Sequence, residues 1–193
     1  MARRWEHTPE EVKNLAIQAG YEQIQERGFQ AFSARAVAAK MGYTVGTIYH
    51  VFGNLDNFIL HINARTLDEW YEEEVKGIPK KPELRARYFA HSYYKYARAN
   101  YNRWLALFEH RMQNDAPVPD WYVPKMMRMF ALIGEAVMPH AGNDPKKAER
   151  LAKLLWASVH GICTLALGGK LAQVGAGTAE KMIDDLMALA VDK

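Results

Sequence analysis

The sequence predicts an all-α fold of about nine helices, and three features of the chain support this prediction. Apolar residues recur at helical spacing throughout the 193 residues. No run of alternating apolar and polar residues is long enough to indicate a strand. Proline, glycine and other turn-forming residues cluster where helices would end, at 77–79, 117–119, 139–144 and 175–177.

The first predicted helix begins after Thr8. Thr8 precedes Pro9 and two glutamates, and proline is favoured in the first turn of a helix, where carboxylates interact with the positive end of the helix dipole. The predicted inner face of this helix comprises Val12, Leu15, Ala16, Ala19 and Ile24. The pattern therefore predicts an amphipathic helix near the start of the chain.

The next two predicted helices are short and meet at a tight turn. Ala38 is small enough for a steep crossing between them, and Gly42 can adopt the positive φ that the turn needs. Ile48 would fill the space between the two helices. Ser33 and Thr44 precede the helices, where a hydroxyl can accept a hydrogen bond from an exposed backbone N–H. This pattern is typical of a helix-turn-helix.

The second helix of this motif, predicted from Val45 to Val51, carries small, hydroxyl and aromatic side chains near its start. Such a helix fits the major groove of DNA, and its N-terminus favours phosphate. The residues predicted to contact DNA are Ser33, Arg35, Thr44, Val45, Gly46, Thr47, Tyr49 and His50. The same spacing also arises by chance where two helices meet in any all-α protein, so the motif alone leaves that alternative open.

Residues around the motif match a known family. The first predicted helix ends in Glu-Arg-Gly-Phe at residues 26–29, the motif continues over residues 38–49, and Phe52 and Asp56 follow. With these residues the chain resembles the TetR family of transcriptional regulators through the start of the predicted fourth helix. The family usually has a lysine at the position of Leu55, and that lysine generally contacts the DNA backbone. The resemblance therefore does not extend to a phosphate contact at this position.

Charge is unevenly distributed along the chain. Residues 1–75 carry seven Lys or Arg against eleven Asp or Glu, whereas the whole chain has a formal net charge of +3. DNA-binding surfaces are expected to be basic. Basic side chains lie on the motif, at Arg35 and Lys40, and on a predicted N-terminal arm, at Arg3 and Arg4, which either contact DNA or remain solvated. The acidic balance also favours an alternative, an effector-binding or protein-interaction module with weakened or lost DNA binding.

The resemblance implies two domains, a helix-turn-helix DNA-binding domain at residues 1–53 and a helical effector-binding and dimerisation domain at residues 54–193. A fourth helix, predicted from Asn54 to Lys76, would link them. Further helices are predicted at 82–100, 101–114, 121–138, 145–171 and 178–191. The resemblance further implies a repressor that a small molecule releases from its operator, while activation, or the absence of an effector, stays open.

Aromatic and methionine side chains are candidates for lining an effector pocket. Trp156, His160 and Gly161 resemble a Trp-His-Gly signature of one subset of the family, and the first two share a helix face. Either they line a pocket, or Trp156 belongs to the core and His160 bonds a backbone carbonyl. The candidate pocket residues are Phe89, Tyr93, Trp104, Phe108, Trp121, Met126, Met127, Phe130, Trp156 and His160. Together they would suit a small, largely apolar or aromatic effector with one or two polar groups.

A homodimer is predicted on two grounds. One short recognition helix reads only a few base pairs, so specific binding needs two copies on a palindromic operator in double-stranded DNA. The last two predicted helices carry more apolar surface than the end of a monomer can bury, and the resemblance implies that they pair into a four-helix bundle. The candidate interface residues are Leu151, Leu154, Leu155, Ile162, Leu165, Leu167, Met182, Ile183, Leu186, Met187 and Leu189.

Other classes of protein have little support in the sequence. No nucleophile elbow, phosphate-binding glycine loop or carboxylate pair placed for acid–base catalysis is present, so an enzyme is not expected. The histidines are dispersed without metal-ligand spacing, so neither a metal nor another cofactor is expected. The single cysteine, Cys163, excludes an intramolecular disulfide. Because no signal peptide and no apolar run of membrane-spanning length is found, we expect a cytoplasmic protein without a membrane partner.

Overall fold

The structure is a computed structural model that describes residues 7–191. Within that range the regular secondary structure is helical throughout, which confirms the predicted fold class. The α-helices are α1 (Pro9–Arg27), α2 (Ala34–Lys40), α3 (Val45–Phe52), α4 (Leu55–Gly77), α5 (Arg85–Ala99), α6 (Tyr101–Glu109), α7 (Val123–Val137), α8 (Pro145–Leu167), α9 (Lys170–Gln173) and α10 (Ala179–Ala190). Helix α9 is a single turn, and the sequence pattern predicts only its first two residues, as the end of the preceding helix.

Helix α1 begins where the sequence predicts it. The Thr8 hydroxyl accepts a hydrogen bond from the backbone N–H of Glu11 at 3.3 Å, and the Glu11 carboxylate accepts from the backbone N–H of Thr8 at 2.7 Å. These reciprocal bonds form a capping box, and they lower the pKa of the Glu11 carboxyl. Leu15 is 40 % exposed, so the prediction that it belongs to the inner face is wrong.

Two helices end earlier than the sequence pattern predicts. Helix α6 stops at Glu109, because His110 adopts an extended backbone and only a short 3-10 turn, Gln113–Asp115, follows before α7. Helix α8 stops at Leu167, and Gly169 takes a left-handed φ of 70° before α9 starts. In α8 the break falls at two consecutive glycines, Gly168 and Gly169, which have low helix propensity.

The chain divides into two compact units. The first unit contains the residues up to Leu67 together with Asn100–Tyr122. The second unit contains Asp68–Ala99 and the residues from Val123 onward. Helix α4 is continuous through the division, so its residues up to Leu67 belong to the first unit and the remainder to the second.

The core of the first unit lies among α1, α2, α3, α6 and the first part of α4. Its buried members are Ala16, Ala19, Tyr21, Ile24, Ala34, Val37, Ala38, Ile48, Phe52, Phe58, Ile62 and Ala106. At Gly20, α1 and α4 approach so closely that a Cβ atom would collide with the Ile62 side chain and lie 3.3 Å from the Phe58 ring. Two guanidinium groups lie over the Tyr21 ring, those of Arg65 at 4.3 Å and Arg103 at 4.7 Å from its centroid.

The second unit is built from α5, α7, α8, α10 and the last part of α4. Trp70 on α4 stacks on Tyr96 of α5 with ring centroids 4.4 Å apart. Val137, Ile183 and Met187 are completely buried and bring α7 and α10 into the same core. These contacts bury one face of each helix.

Membrane-spanning helices and metal-binding clusters are both absent from residues 7–191. Between residues 7 and 191, no helix combines the length and the apolar character that crossing a bilayer requires. Nor does that range contain three or more His, Cys, Asp or Glu side chains grouped closely enough to hold a metal ion.

Candidate DNA-binding surface

The turn between α2 and α3 is set by backbone hydrogen bonds at the end of α2. The N–H of Gly42 donates to the carbonyl of Ala39 at 3.1 Å, and the N–H of Tyr43 donates to the carbonyl of Ala38 at 2.9 Å. This pair of bonds is a Schellman motif, which needs a left-handed residue, and Gly42 supplies it with a φ of 77°. A Cβ atom at Gly42 would meet no described atom within 4 Å. The requirement at this position is therefore backbone conformation and not space.

One face of α3 is fixed in the core of the first unit. Ile48 is completely buried, and Ala38 on α2 is 1 % exposed, as the helix-turn-helix prediction requires. Phe52, at the end of α3, packs against Phe58 of α4 with ring centroids 4.6 Å apart. The core thus fixes which face of α3 lies at the surface.

The opposite face of α3 lies at the surface and contains most of the predicted DNA contacts. Ser33, Arg35, Thr44, Gly46, Tyr49 and His50 are exposed, and Val45 and Thr47 are half-buried. The large ring of Tyr49 keeps 43 % of its surface exposed. Hydroxyl and imidazole groups close to a helix start can contact both base edges and phosphates.

Ser33 and Thr44 differ as helix caps. The Ser33 hydroxyl accepts from the backbone N–H of Ala36 at 3.3 Å, and the Ser33 N–H donates to Gln23 Oε1 at 2.8 Å, which ties α2 to α1. Thr44 occupies the N-cap position of α3, but its side chain makes no capping hydrogen bond, so the prediction of a hydroxyl cap is wrong there. The Thr44 hydroxyl instead lies 3.4 Å from the hydroxyl of Thr47.

An ion pair reduces the free positive charge of the motif. Lys40 Nζ lies 2.7 Å from Glu22 Oε2 on α1. This hydrogen bond lowers the pKa of Glu22 and raises the pKa of Lys40, so both groups remain charged at neutral pH. Sequence analysis missed the pair because the partners lie on different helices. The predicted arm residues Arg3 and Arg4 lie outside the described residues.

The start of α4 is anchored inside the first unit. Leu55, at the position of the family's usual lysine, is half-buried and packs against the core. Asp56 is buried and accepts hydrogen bonds from His110 Nε2 and from the backbone N–H of Gln113, both at 3.0 Å. Because these partners follow α6, far along the chain, no local pattern around Asp56 indicates them.

The candidate effector residues are divided between the two units. Trp104, Phe108 and Trp121 belong to the first unit, and Phe89, Tyr93, Met126, Met127, Phe130, Trp156 and His160 belong to the second. Trp104 is 1 % exposed and packs edge-on against Phe108, with ring centroids 5.5 Å apart. The ten residues therefore do not form one cluster within a single unit.

In the second unit, His160 contacts two of the predicted aromatic residues. Its Nδ1 shares a hydrogen bond of 2.8 Å with the Tyr93 hydroxyl, and its ring stacks on Trp156 with centroids 5.7 Å apart. Phe130 meets Trp156 edge-on at 5.2 Å. Burial lowers the pKa of His160, so its imidazole is neutral at neutral pH. His160 thus bonds a tyrosine hydroxyl, whereas one sequence interpretation assigned it a backbone carbonyl.

One cavity in the interior of the second unit is small. A cavity of about 30 Å³ is lined by Phe89, Tyr93 and Trp156, together with Leu155 and Met187. Such a volume holds only a water molecule or two. An effector of ordinary size would therefore need side chains in this cluster to move.

The candidate interface residues fall into two groups. Leu155, Ile162, Ile183 and Met187 are buried within their own protomer, so these four cannot form an exposed interface as predicted. The apolar pattern of a helix marks buried positions without separating a core from an interface. The remaining candidates are Leu154, Leu165 and Leu189, which are exposed, and Leu151, Leu167, Met182 and Leu186, which are half-buried.

A Schellman turn leads into the short helix α3, and one polar face of this helix lies at the surface. This is the arrangement of a helix-turn-helix protein. Two family models match this chain. The model "Bacterial regulatory proteins, tetR family" matches residues 16–62, and the model "Tetracyclin repressor-like, C-terminal domain" matches residues 86–190. The chain belongs to the TetR family of transcriptional regulators, which confirms the resemblance found in the motif.

Solved structures share this fold. A protein of unknown function from Rhodococcus sp. RHA1 has a TM-score of 0.73 at 17 % identity, covering 98 % of this chain and 97 % of that chain. A possible TetR family transcriptional regulator from Streptomyces coelicolor A3(2) has a TM-score of 0.66 at 13 % identity, with coverages of 93 % and 97 %. The multidrug binding protein EbrR, complexed with imidazole, has a TM-score of 0.62 at 18 % identity, with coverages of 99 % and 97 %. No curated protein matches the chain.

Proposed function

We propose that this protein is a dimeric repressor that binds a palindromic operator through α3 of each protomer. The observation that carries the proposal is the division of α3 into a buried face, with Ile48 and Phe52, and an exposed polar face, with Tyr49 and His50. A helix fixed in this way can enter the major groove without loss of its packing. Such a repressor acts in the cytoplasm, where operator DNA is found, and has no catalytic role.

Exposed leucines on the C-terminal helices support the dimer. Leu154 and Leu165 on α8 are 62 % and 47 % exposed, and Leu189 on α10 is 73 % exposed. A second copy of the chain would remove this apolar surface from water. We assign the interface to these leucines and their half-buried neighbours. The two recognition helices would then lie about 34 Å apart, one turn of DNA, or a multiple of it.

An effector in the second unit would control DNA binding. The cluster of Tyr93, Phe130, Trp156 and His160 offers apolar rings and a neutral imidazole, which suit a small, largely apolar or aromatic molecule. Helix α4 is continuous through both units and is the natural element to carry the change. A coupling free energy of about 1–3 kcal/mol changes operator occupancy strongly.

The alternative function, a binding module without DNA affinity, is favoured by two observations. Lys40 is engaged by Glu22, and Leu55 packs in the core at the position where the family usually has a lysine. Both reduce the positive charge offered to phosphate, which supplies most of the affinity of DNA-binding proteins.

Selection of random duplex DNA by the full-length protein at two salt concentrations separates these functions. We expect enrichment of a palindrome, with weaker binding at the higher salt. A Tyr49→Ala/His50→Ala double variant should lose the enrichment, while Asn14→Ala, an exposed substitution on α1, should retain it. Failure of the folded wild-type protein to enrich any sequence at either salt would contradict the repressor and favour the module.

A further inference from the structure

A groove at the surface of the second unit has the size of a small-molecule site. Its volume is about 630 Å³, and its lining comes from α5, with Glu180 of α10 on one side. Ligand sites usually measure about 300–1,000 Å³. Unlike the interior cavity, this groove accommodates a ligand without movement of buried side chains.

The groove carries positive charge that is not neutralised by ion pairs. Lys95 and Arg98 are exposed, and neither forms a salt bridge with any residue between 7 and 191. His91 also lines the groove but does have an acidic partner, because its Nε2 lies 2.9 Å from Asp184 Oδ1. The lining residues Lys95 and Arg98 outnumber Glu180, and Asp184, which bonds His91, is also paired with Arg87.

One wall of the groove is held in place by hydrogen bonds to α4. The Tyr88 hydroxyl donates to the backbone carbonyl of Glu74 at 3.1 Å, and the Ser92 hydroxyl donates to Glu74 Oε2 at 2.7 Å. The Tyr88 ring also lies so close to Gly77 that a Cβ atom there would be 2.9 Å from Tyr88 Cζ. Fixed side chains of this kind lose little conformational entropy when a ligand binds.

We propose that this groove binds a small aromatic carboxylate. The acid group would contact Lys95 and Arg98, whose guanidinium matches a carboxylate with two parallel hydrogen bonds. The aromatic body would pack on the rings of Tyr88 and Tyr94, which line the same groove. This site goes beyond the proposed function, because it requires neither DNA nor the opening of the interior cluster.

Calorimetric titration of the full-length protein with 1-naphthoate and its neutral counterpart 1-naphthamide tests the charge requirement. We expect 1-naphthoate to bind and 1-naphthamide to bind about tenfold or more weakly, because a hydrogen bond to a charged group is the stronger one. Naphthoate affinity should also fall as salt is added. Equal affinities for the two compounds, or no binding of naphthoate to the folded protein, overturn the proposal.

Variants of the two cations locate the binding. A Lys95→Gln/Arg98→Gln double variant should lose about tenfold or more in naphthoate affinity, while Arg150→Gln, an exposed arginine outside the lining, should leave it unchanged. Circular dichroism checks that each variant is folded. The proposal is wrong if the double variant binds naphthoate as the wild type does.

Photoaffinity labelling with an azide-bearing naphthoate identifies the binding site independently of the variants. We expect labelled peptides from residues 88–98 of α5. Labelling confined to the peptide that contains Trp156 would place the ligand in the interior cluster and overturn the proposal. Neither the labelling nor the titration depends on operator DNA. A protein that fails to select DNA can therefore still bind naphthoate and be labelled in α5.

Discussion

Helix α4 places one buried carboxylate in each unit, and the two have different partners. In the first unit, Asp56 accepts from the imidazole of His110 and from a backbone N–H in the segment that follows α6. In the second unit, Glu74 accepts from the indole N–H of Trp70 at 3.0 Å and from the hydroxyl of Ser92. Burial raises the pKa of Glu74, because desolvation penalises the charged form by more than the hydrogen bonds from Ser92 and Trp70 favour it.

The difference indicates two roles for a buried acid. Asp56 satisfies a side chain and a backbone group of the segment between α6 and α7, whose regular structure is only a short 3-10 turn, so it fixes the conformation of that segment. Glu74 links helices that are already held by apolar packing, such as the stack of Trp70 on Tyr96. Asp56 therefore holds the segment after α6 in place, while Glu74 adds to packing that other contacts already provide.

The largest effect should follow removal of the first carboxylate. Asp56→Ala leaves the buried imidazole of His110 and the part-buried N–H of Gln113 without an acceptor, so we expect a loss of about 3 kcal/mol in the free energy of unfolding. Denaturant titration measures this loss. Asp120→Ala, an exposed acid in the same unit, is the control. Equal stability of the two variants would show that Asp56 does not organise the segment.

A smaller effect is expected at the proposed interface of the second unit. Leu154→Asp places a charge on the exposed apolar face of α8 and should weaken the dimer by about 2 kcal/mol. Sedimentation velocity over a dilution series measures the dimer dissociation constant. Leu84→Asp, at a leucine that is 47 % exposed outside α8 and α10, should leave it unchanged. An unaltered dimer in the Leu154 variant would exclude this face as the interface.

Substitution of the second carboxylate should change stability little and alter its pH dependence. Since the folded-state pKa of Glu74 is raised, the native state holds the proton more tightly, and this group's contribution to stability falls as pH rises through the folded pKa. At pH 7 the free energy of unfolding of Glu74→Gln should lie within about 1 kcal/mol of the wild-type value. Between roughly pH 4 and pH 7, where carboxyl groups titrate, the variant should become more stable relative to the wild type as pH rises. Denaturation at both pH values measures this trend, and a relative loss as pH rises would contradict it.

The smallest effect concerns the thiol of the second unit. Cys163 is completely buried, and burial raises its pKa to about 12. We expect iodoacetamide at pH 8 to leave the native protein unmodified and to alkylate it only after denaturation. Mass spectrometry measures the modification. Rapid alkylation of the native protein would show that this core opens more readily than its packing indicates.

The first unit could be predicted well from local signals. The capping box at Thr8, the cap at Ser33 and the left-handed Gly42 each depend on residues close in sequence, so composition and spacing indicate them. The bonds from Asp56 to the segment after α6 and from Lys40 to Glu22 depend on how helices meet. Sequence periodicity contains no information on such pairs.

The second unit is harder to predict. Its candidate pocket residues are predicted from their aromatic or methionine side chains alone, and residue type does not indicate where a side chain lies in the fold. Aromatic residues such as Trp104 and Phe108 belong to the first unit, and only the fold separates them from Tyr93 and Trp156. Leucine spacing on α8 identified both Leu155, which is buried, and Leu154, which is exposed. An apolar stripe predicts that a helix face is buried, but it does not distinguish burial in the core from burial in an interface.

Gly20 and Gly42 should differ in how they vary among homologues. Gly20 is limited mainly by the Ile62 side chain and also by the Phe58 ring, so a larger residue there becomes acceptable once position 62 shrinks and the ring shifts slightly, and positions 20 and 62 should covary among homologues. Gly42 has open surroundings and a left-handed backbone, so no second-site change relieves a substitution there. Only asparagine or aspartate, which tolerate that conformation, should replace it. Position 42 should therefore vary within a short list of residues and independently of the rest of the chain.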